Sequence, residues 1–425
     1  VAFFGACQKL GLILVPINFR LSSQEVNDLL KDCDPELIIY SEHYEDKVVL
    51  SKDYFNCLRL IDFIDSVRSN DADSLSCDYK IEEDLPIFLF YSSGTTSKPK
   101  GILYTNKMLF WNSLNTAMQL EITSRDSTIN ILPPYHTSGW NVFVTPLLHQ
   151  GGHIAMLKRF EAENLLKHLS TQKVSLFLSL PTILQMLFNH PHFKETDLSS
   201  LRYIITGGEF ISQDLIKLWK QEKNVFIRPG YGLTEAGPSI TSLHQDMIFK
   251  KVNCIGKPNF YIEIEIRDSK NQKLQPYKVG ELCIKSKVVT PGYWKDPTKT
   301  QQKIKDGWLC TGDLAYVDDE GFIYLKGRID DMYISGGENI YPKEVENILN
   351  QHQDVSEAVI LPIDDQKWGK VGLAFIKSTN PILDDESLRI FLKDKLAKYK
   401  YPKHFVFLKE FPVTSFGKIS RRDLY

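Results

Sequence analysis

The chain has no apolar run approaching the ~20 residues that a membrane-spanning helix requires, and it shows no secretory leader. A spanning helix is not expected, although peripheral contact with a membrane stays open. Neither charge is in excess: 51 Lys+Arg face 53 Asp+Glu. No bulk field therefore favours nucleic acid, and any anion has to be bound by a local cluster. The seven cysteines (Cys7, Cys33, Cys57, Cys77, Cys254, Cys283, Cys310) never form a CxxC pair. Their odd number and scatter argue against a disulfide framework and a zinc site, and fit a reducing cytoplasm. Internal repeats and low-complexity tracts are missing as well. At 425 residues and 43% hydrophobic content, the chain exceeds what one core supports, so at least two domains are expected. It opens on VAFFG, inside an apolar segment and without methionine, so a preceding N-terminal piece is expected.

What the sequence does contain is concentrated in YSSGTTSKPKG, residues 91–101, directly behind the apolar run 86–90. Gly94 and Gly101 allow backbone angles that side chains forbid, so the loop can turn its amides inward. Phosphate oxygens would meet those amides, the hydroxyls of Ser92, Ser93, Thr95 and Thr96, and the ammonium of Lys98 or Lys100. The stretch is not a Walker A loop, because Lys100 is followed by Gly101 and Ile102 where that motif needs a Ser or Thr.

Up to about residue 40 the pattern reads helix, strand, helix, strand, with the apolar run 11–16 as the first strand and 37–40 as the second. Ser22 and Glu25 form a capping box ahead of a helix that puts Val26, Leu29 and Leu30 on one side. Residues 46–83 look polar and loop-rich. A helix is expected over 108–120 and a strand over 128–132, which Pro133 and Pro134 stop. In the following YHTSGWN, His136 and Trp140 share a face if the segment is helical, with Gly139 keeping the approach between them open. Packed core aromatics are an equally ready reading. Strands at 174–178 and 203–206, separated by a helix over 182–188, imply a mostly parallel sheet covered by helices. The second of these strands runs into Gly207-Gly208-Glu209, and a strand at 225–227 runs into RPGYGLTE. Loops at strand carboxyl ends converge on the ligand crevice in such sheets.

From about residue 256 the period changes to two: Ile262, Ile264 and Ile266 alternate with Glu263, Glu265 and Arg267. With 281–284 and 321–325 this predicts a small antiparallel β unit or barrel containing TGDL (311–314). A domain boundary is expected at Asp330. Beyond it come SGGEN (335–339), Pro342 opening a helix that faces Val345, Ile348 and Leu349 inward, strands at 358–361, 371–376 and 405–408, and a helix over 386–396. In the tail, Lys418 follows Gly417 in a flexible turn.

In this order, YSSGTTSKPKG, YGLTEAGP, TGDLAY, KGRIDD, SGGENIYP and FGKISRRDL resemble the motifs of the adenylate-forming superfamily, which includes acyl-CoA synthetases, adenylation domains and firefly-type luciferases. The resemblance is close to full length, with Ser97 standing where the family loop usually has glycine. It implies an α/β fold: a large N-terminal AMP-binding domain, residues 1–329 and N-terminally incomplete, of two α/β sheet subdomains plus a small β-barrel subdomain. A smaller mobile α+β domain, residues 330–425, would follow. The implied reaction joins a carboxylic acid to ATP with loss of pyrophosphate and then transfers the acyl group to a thiol. Lys418, His136, Glu235 and Thr95 would be catalytic. Ser92, Ser93, Gly94, Thr95, Thr96 and Lys100 would cradle phosphates, and Thr95 and Glu235 would hold Mg²⁺. Gly208, Glu209, Tyr231, Gly232 and Thr234 would surround AMP, with Tyr231 stacking on adenine, while Asp313 would take the ribose hydroxyls and Arg328 would reach the same sugar or a phosphate. His136 and Trp140 would border the acid, Asp330 would be the hinge, and Ser335, Gly336 and Gly337 would line the CoA channel. ATP, Mg²⁺ and CoA are the implied cofactors.

The pattern is most similar to medium- and long-chain fatty acyl-CoA synthetases, with Trp140 gating an alkyl tunnel. An aryl-acid CoA ligase and a stand-alone adenylation enzyme that loads a carrier-protein thiol are the alternatives within this chemistry. A nucleotide-binding pseudo-enzyme is the alternative of another class. A homodimer stays open.

Overall fold

In a computed structural model, residues 1–69, 81–92, 100–208, 211–393, 395–413 and 419–424 are described. The capping box forms as the sequence predicts: the Ser22 hydroxyl accepts from Glu25 N, and the Glu25 carboxylate accepts from Ser22 N. The helix Ser23–Cys33 then buries Val26, Leu29, Leu30 and Cys33. Two early expectations fail. The apolar run 11–16 makes only an isolated parallel bridge, Leu14 opposite Phe88, with Leu14 N donating to Ile87 O at 2.9 Å and Leu89 N to Leu14 O at 3.0 Å. Pro16, lacking an N–H, cannot extend it. Nor is 46–83 simply loop: Cys57–Arg59 pairs in parallel with Ile38–Tyr40, and the helix Leu60–Ser69 follows directly. A three-residue strand is too short to show a period in sequence.

Pro86–Ser92 pairs antiparallel with Lys100–Thr105, so the phosphate-loop residues join two strands of a hairpin. The chain then builds a seven-stranded sheet in the order Lys257–Pro258, Thr241–Ser242, Phe226–Tyr231, Tyr203–Thr206, Leu176–Leu178, Ser127–Asn130, His153–Met156. The last five strands of that order are parallel, and the first two are antiparallel. Helices Ala162–Thr171, Pro181–Phe188 and Gln213–Lys223 cover it, and Phe177, Leu184, Phe193, Ile204 and Trp219 form the core between them. Trp219 is fully buried, and its Nε1 donates to Leu184 O at 3.3 Å.

The period-two segment becomes a five-stranded antiparallel sheet. Glu263–Arg267, Gly280–Lys285, Trp308–Val317 and Ile304–Lys305 lie in that order, and Ile323–Arg328 pairs with Trp308–Val317. A further sheet orders Glu338–Ile340, Tyr333–Ser335, Gly369–Ser378 and Val355–Asp365, with His404–Leu408 parallel to Gly369–Ser378. The predicted boundary at Asp330 falls on the short link between these two sheets. Pro342 stands at the first position of the helix Pro342–Leu349, whose Val345 and Leu349 are buried. The helix expected over 386–396 is Asp385–Leu392, ended by extended backbone at Lys393. Among the described residues no helix is long and apolar enough to cross a membrane.

Candidate active site

Asp313 lies within the ten-residue strand Trp308–Val317 and directly opposite Arg328 in register, so it does not cap a turn. Both carboxylate oxygens are engaged: Arg328 Nη1 donates to Oδ1 at 2.8 Å, and the Tyr231 hydroxyl donates to Oδ2 at 2.6 Å. Burial and then the Asp313 charge push the Tyr231 phenol far up, so it stays a proton donor. Burial pulls the Arg328 guanidinium down, but Asp313 outweighs it and the net shift is upward. Each carboxylate oxygen keeps a second lone pair, which suits a vicinal diol. Gly312 has φ 78°, and a Cβ there would lie 3.3 Å from Lys303 Nζ and 3.5 Å from Arg328 Nη2. Its N–H donates to Glu281 Oε1 at 2.8 Å, which fixes the kink beside Asp313. Tyr231, expected to stack on a base, is thus tied by its hydroxyl to the neighbouring sheet.

The loops that begin at Gly207 and after Tyr231 lie side by side, because Thr206 pairs with Pro229 where the strands Tyr203–Thr206 and Phe226–Tyr231 end. Gly208 has φ 80° and open space where a Cβ would be. Gly232 has no such room, since a Cβ would meet Pro238 O at 2.1 Å. Thr234 and Glu235 form the short helical turn Thr234–Ala236, against which the strand Lys100–Thr105 packs. Glu235 Oε1 accepts from the Tyr293 hydroxyl at 2.9 Å, and Glu235 O accepts from Thr290 N at 2.7 Å. Burial, followed by the Glu235 charge, raises the Tyr293 phenol. The Thr290 hydroxyl reaches Leu103 O at 2.6 Å, and Tyr293 bridges to Ile102. Sequence reasoning missed Thr290 and Tyr293. The only available signal was the aromatic pair after Gly292, which has no period to distinguish it.

The gate assigned to Trp140 needs correction. Its side chain is only 4% exposed, packed against Phe4 and Phe88 with ring centroids 5.5 and 5.4 Å away, and its Nε1 donates to Pro134 O at 2.7 Å. An indole held by two rings and a hydrogen bond is a core residue. Gly139 is likewise required by packing, since a Cβ would lie 2.4 Å from Pro133 O. His136 is half-buried beside Tyr135, ring centroids 4.7 Å apart.

Ser335 and Glu338 pair across the two-residue turn Gly336-Gly337, whose φ values are 57° and 90°. Two positive φ angles are what a tight hairpin turn demands. A Cβ at Gly336 would also lie 2.7 Å from the Trp368 ring, so these glycines are fixed by the turn and by Trp368 whatever else passes them. Asp330 is exposed on the link, while burial raises the carboxyl of the adjacent Asp331. Ser93, Gly94, Thr95, Thr96, Glu209 and Lys418 lie outside the described residues, as does the side chain of Ser92. The segment carrying Lys418 is flanked by an antiparallel bridge between Val413 and Ile419.

Residues 1–294 match the AMP-binding enzyme family, and residues 344–418 match the AMP-binding enzyme C-terminal domain. The chain is 31% identical to a feruloyl-CoA synthase from Amycolatopsis sp, covering 99% of this chain and 84% of that protein. It is 30% identical, over the same shares, to a long-chain-fatty-acid–CoA ligase of Mycobacterium tuberculosis. Among solved structures it is similar to o-succinylbenzoate CoA synthetase from Bacillus subtilis with its acyl-adenylate intermediate, at TM-score 0.90 and 30% identity, covering 99% of this chain and 84% of that one. The same synthetase with ATP and magnesium ion gives TM-score 0.89 and 30% identity over 99% and 86%.

Proposed function

The chain belongs to the AMP-binding enzyme family and is an AMP-forming acid:CoA ligase, and on that footing we propose that its acid is an aromatic or aryl-substituted carboxylic acid. The observation that carries the choice is the likeness to enzymes named for feruloyl and o-succinylbenzoyl substrates. Trp140, packed between Phe4, Phe88 and Pro134 O, serves the core, so it supports neither an alkyl gate nor an aryl wall. A long-chain fatty acid is the second reading, favoured by the likeness to the Mycobacterium enzyme.

The residues divide the task in a physically sensible way. Asp313 would accept from the ribose hydroxyls, held in place by Tyr231 and Arg328. Gly208 would let the backbone approach adenine in a left-handed conformation that other residues resist. Lys100, with Ser92, Ser93, Gly94, Thr95 and Thr96, would neutralise the β- and γ-phosphates. Glu235 and Thr95 offer the oxygen donors that Mg²⁺ prefers, and the ion when bound supplies charge neutralisation across the phosphates. Lys418 would stabilise the charge that develops as the carboxylate attacks. Asp330 would then turn the C-terminal unit so that Ser335, Gly336 and Gly337 border the path of CoA. Six described cysteines are free thiols, which fits a cytoplasmic place for the enzyme.

The test is pyrophosphate release with ATP across benzoates, cinnamates and straight-chain acids of graded length, each with and without CoA. Aryl acids are expected to give the higher kcat/KM, with thioester formed only when CoA is present. A rate that climbs steadily with each added methylene, alongside inert aryl acids, would overturn the aromatic assignment.

A further inference from the structure

Lys299 lies outside every motif described above. It sits in the first turn of the helix Pro297–Lys303, where the helix dipole disfavours a cation, so its charge does not serve the helix. The start of that helix is tied firmly to the segment before it. Asp296 Oδ1 accepts from Lys299 N at 2.9 Å, and the Thr300 hydroxyl accepts from Tyr293 N at 3.0 Å. The half-buried Lys299 ammonium therefore lies 3.9 Å over the Tyr293 ring, whose hydroxyl holds Glu235. Tyr293 also bridges to Ile102, and Trp294 N donates to Gly101 O at 2.8 Å, which brings the segment before Lys299 against the strand that begins at Lys100. Burial and then Lys100 press the Lys299 ammonium down to about 8, while Glu235 and Asp296 pull the other way. Two ammonium groups in one half-buried place repel until an anion bridges them.

We infer that Lys299 is a second triphosphate-binding lysine, acting beside Lys100 on the β- and γ-phosphates that leave as pyrophosphate. This rests on the ligase reading of the site. As the acid's oxygen bonds to the α-phosphorus, the bond from that phosphorus to the bridging oxygen breaks. Its electron pair departs with pyrophosphate, and charge grows on the leaving group. An ammonium already in place, in a site of reduced water access, stabilises that growth without reorganising.

The experiment uses the full chain with Lys299→Met and Lys299→Arg. Calorimetry with magnesium pyrophosphate is run alongside steady-state kinetics in ATP and the half-reaction of supplied acyl-adenylate with CoA. Lys299→Met is expected to raise the pyrophosphate Kd and the KM for ATP by ~10- to 100-fold, the scale for losing a charge-assisted contact. The KM for the acid and the CoA half-reaction should be unchanged, and Lys299→Arg should recover most of the loss. Unchanged pyrophosphate affinity in Lys299→Met, or an equal loss in the CoA half-reaction, overturns the inference. If the wild type releases no pyrophosphate with any acid, the ligase reading fails separately, and the calorimetric comparison still decides whether Lys299 binds the anion.

Discussion

Asp313 and Glu346 are both largely buried carboxylates paired with an arginine, yet their surroundings differ. Glu346, 1% exposed, is held by its own fold. Oε1 accepts from Ile360 N at 2.9 Å and from Arg421 Nη2 at 2.6 Å, Lys343 lies 3.4 Å from Oε2, and Arg421 also donates to Ile360 O. It locks the helix Pro342–Leu349 and the C-terminal tail onto the strand Val355–Asp365. Asp313 is held by Tyr231 and Arg328, one on each oxygen, and the side chain of Arg328 is itself 44% exposed. The same chemical pair is structural when a backbone amide and two cations of the fold all converge on the carboxylate. It is a binding device when donors orient the carboxylate and leave it acceptor capacity.

The strongest way to break the comparison is Glu346→Ala. It strands Arg421 beside the buried Ile360 amide and should cost ~3–5 kcal/mol of stability, read by denaturant melts. A loss under ~1 kcal/mol would mean that the tail is not anchored there. Asp313→Ala comes next on the same energy scale, with kcat/KM for ATP falling ~100-fold, or ~2.7 kcal/mol, and a stability loss smaller than that of Glu346→Ala. A collapse of stability at wild-type specific activity would make Asp313 the structural member of the pair. Tyr231→Phe removes one of the two orienting donors and should weaken AMP binding ~10-fold by calorimetry without affecting the acid's KM. Equal AMP affinity would show that Arg328 alone suffices.

The smallest effect is expected at Glu344, which receives Lys326 from the preceding sheet at 3.4 Å and Lys400 at 2.7 Å. Burial pushes this carboxyl up, but Lys400 and Lys326 outweigh it, so its folded pKa lies below the ordinary value of 4.5. Its contribution to stability is present above that ordinary value and fades as pH falls through the lowered one. Glu344→Gln should therefore cost ~1 kcal/mol at neutral pH and flatten the acid limb of the stability profile. An acid limb identical to wild type would remove the pair from the link between the two sheets.

Patterns contained within a few residues were legible from the chain itself. Ser22 and Glu25 cap a helix because both partners lie within one turn. Ile262 to Arg267 become a strand because period two is a local property, and Pro342 starts a helix because it needs no hydrogen-bonded N–H there. Asp313, Arg328 and Glu235 were picked out by the resemblance of short ordered motifs to a known family, not by any local period. The strand Cys57–Arg59 and the bridge at Leu14 were not legible, since three residues and one residue carry no period.

The sequence by itself determined the order of elements and the change from helix-covered parallel sheet to antiparallel sheet near residue 256. Tertiary structure alone decided what individual side chains face. It packed Trp140 against Phe4 and Phe88, tied Tyr231 to Asp313 across 82 positions, and brought Tyr293 to Glu235 across 58. It also set Lys299 over Tyr293, which bridges to the strand that begins at Lys100. Local propensity acts through neighbours within about a turn, whereas side-chain partners are chosen when whole sheets and helices bury their apolar faces, and that choice leaves no mark at either end of the contact.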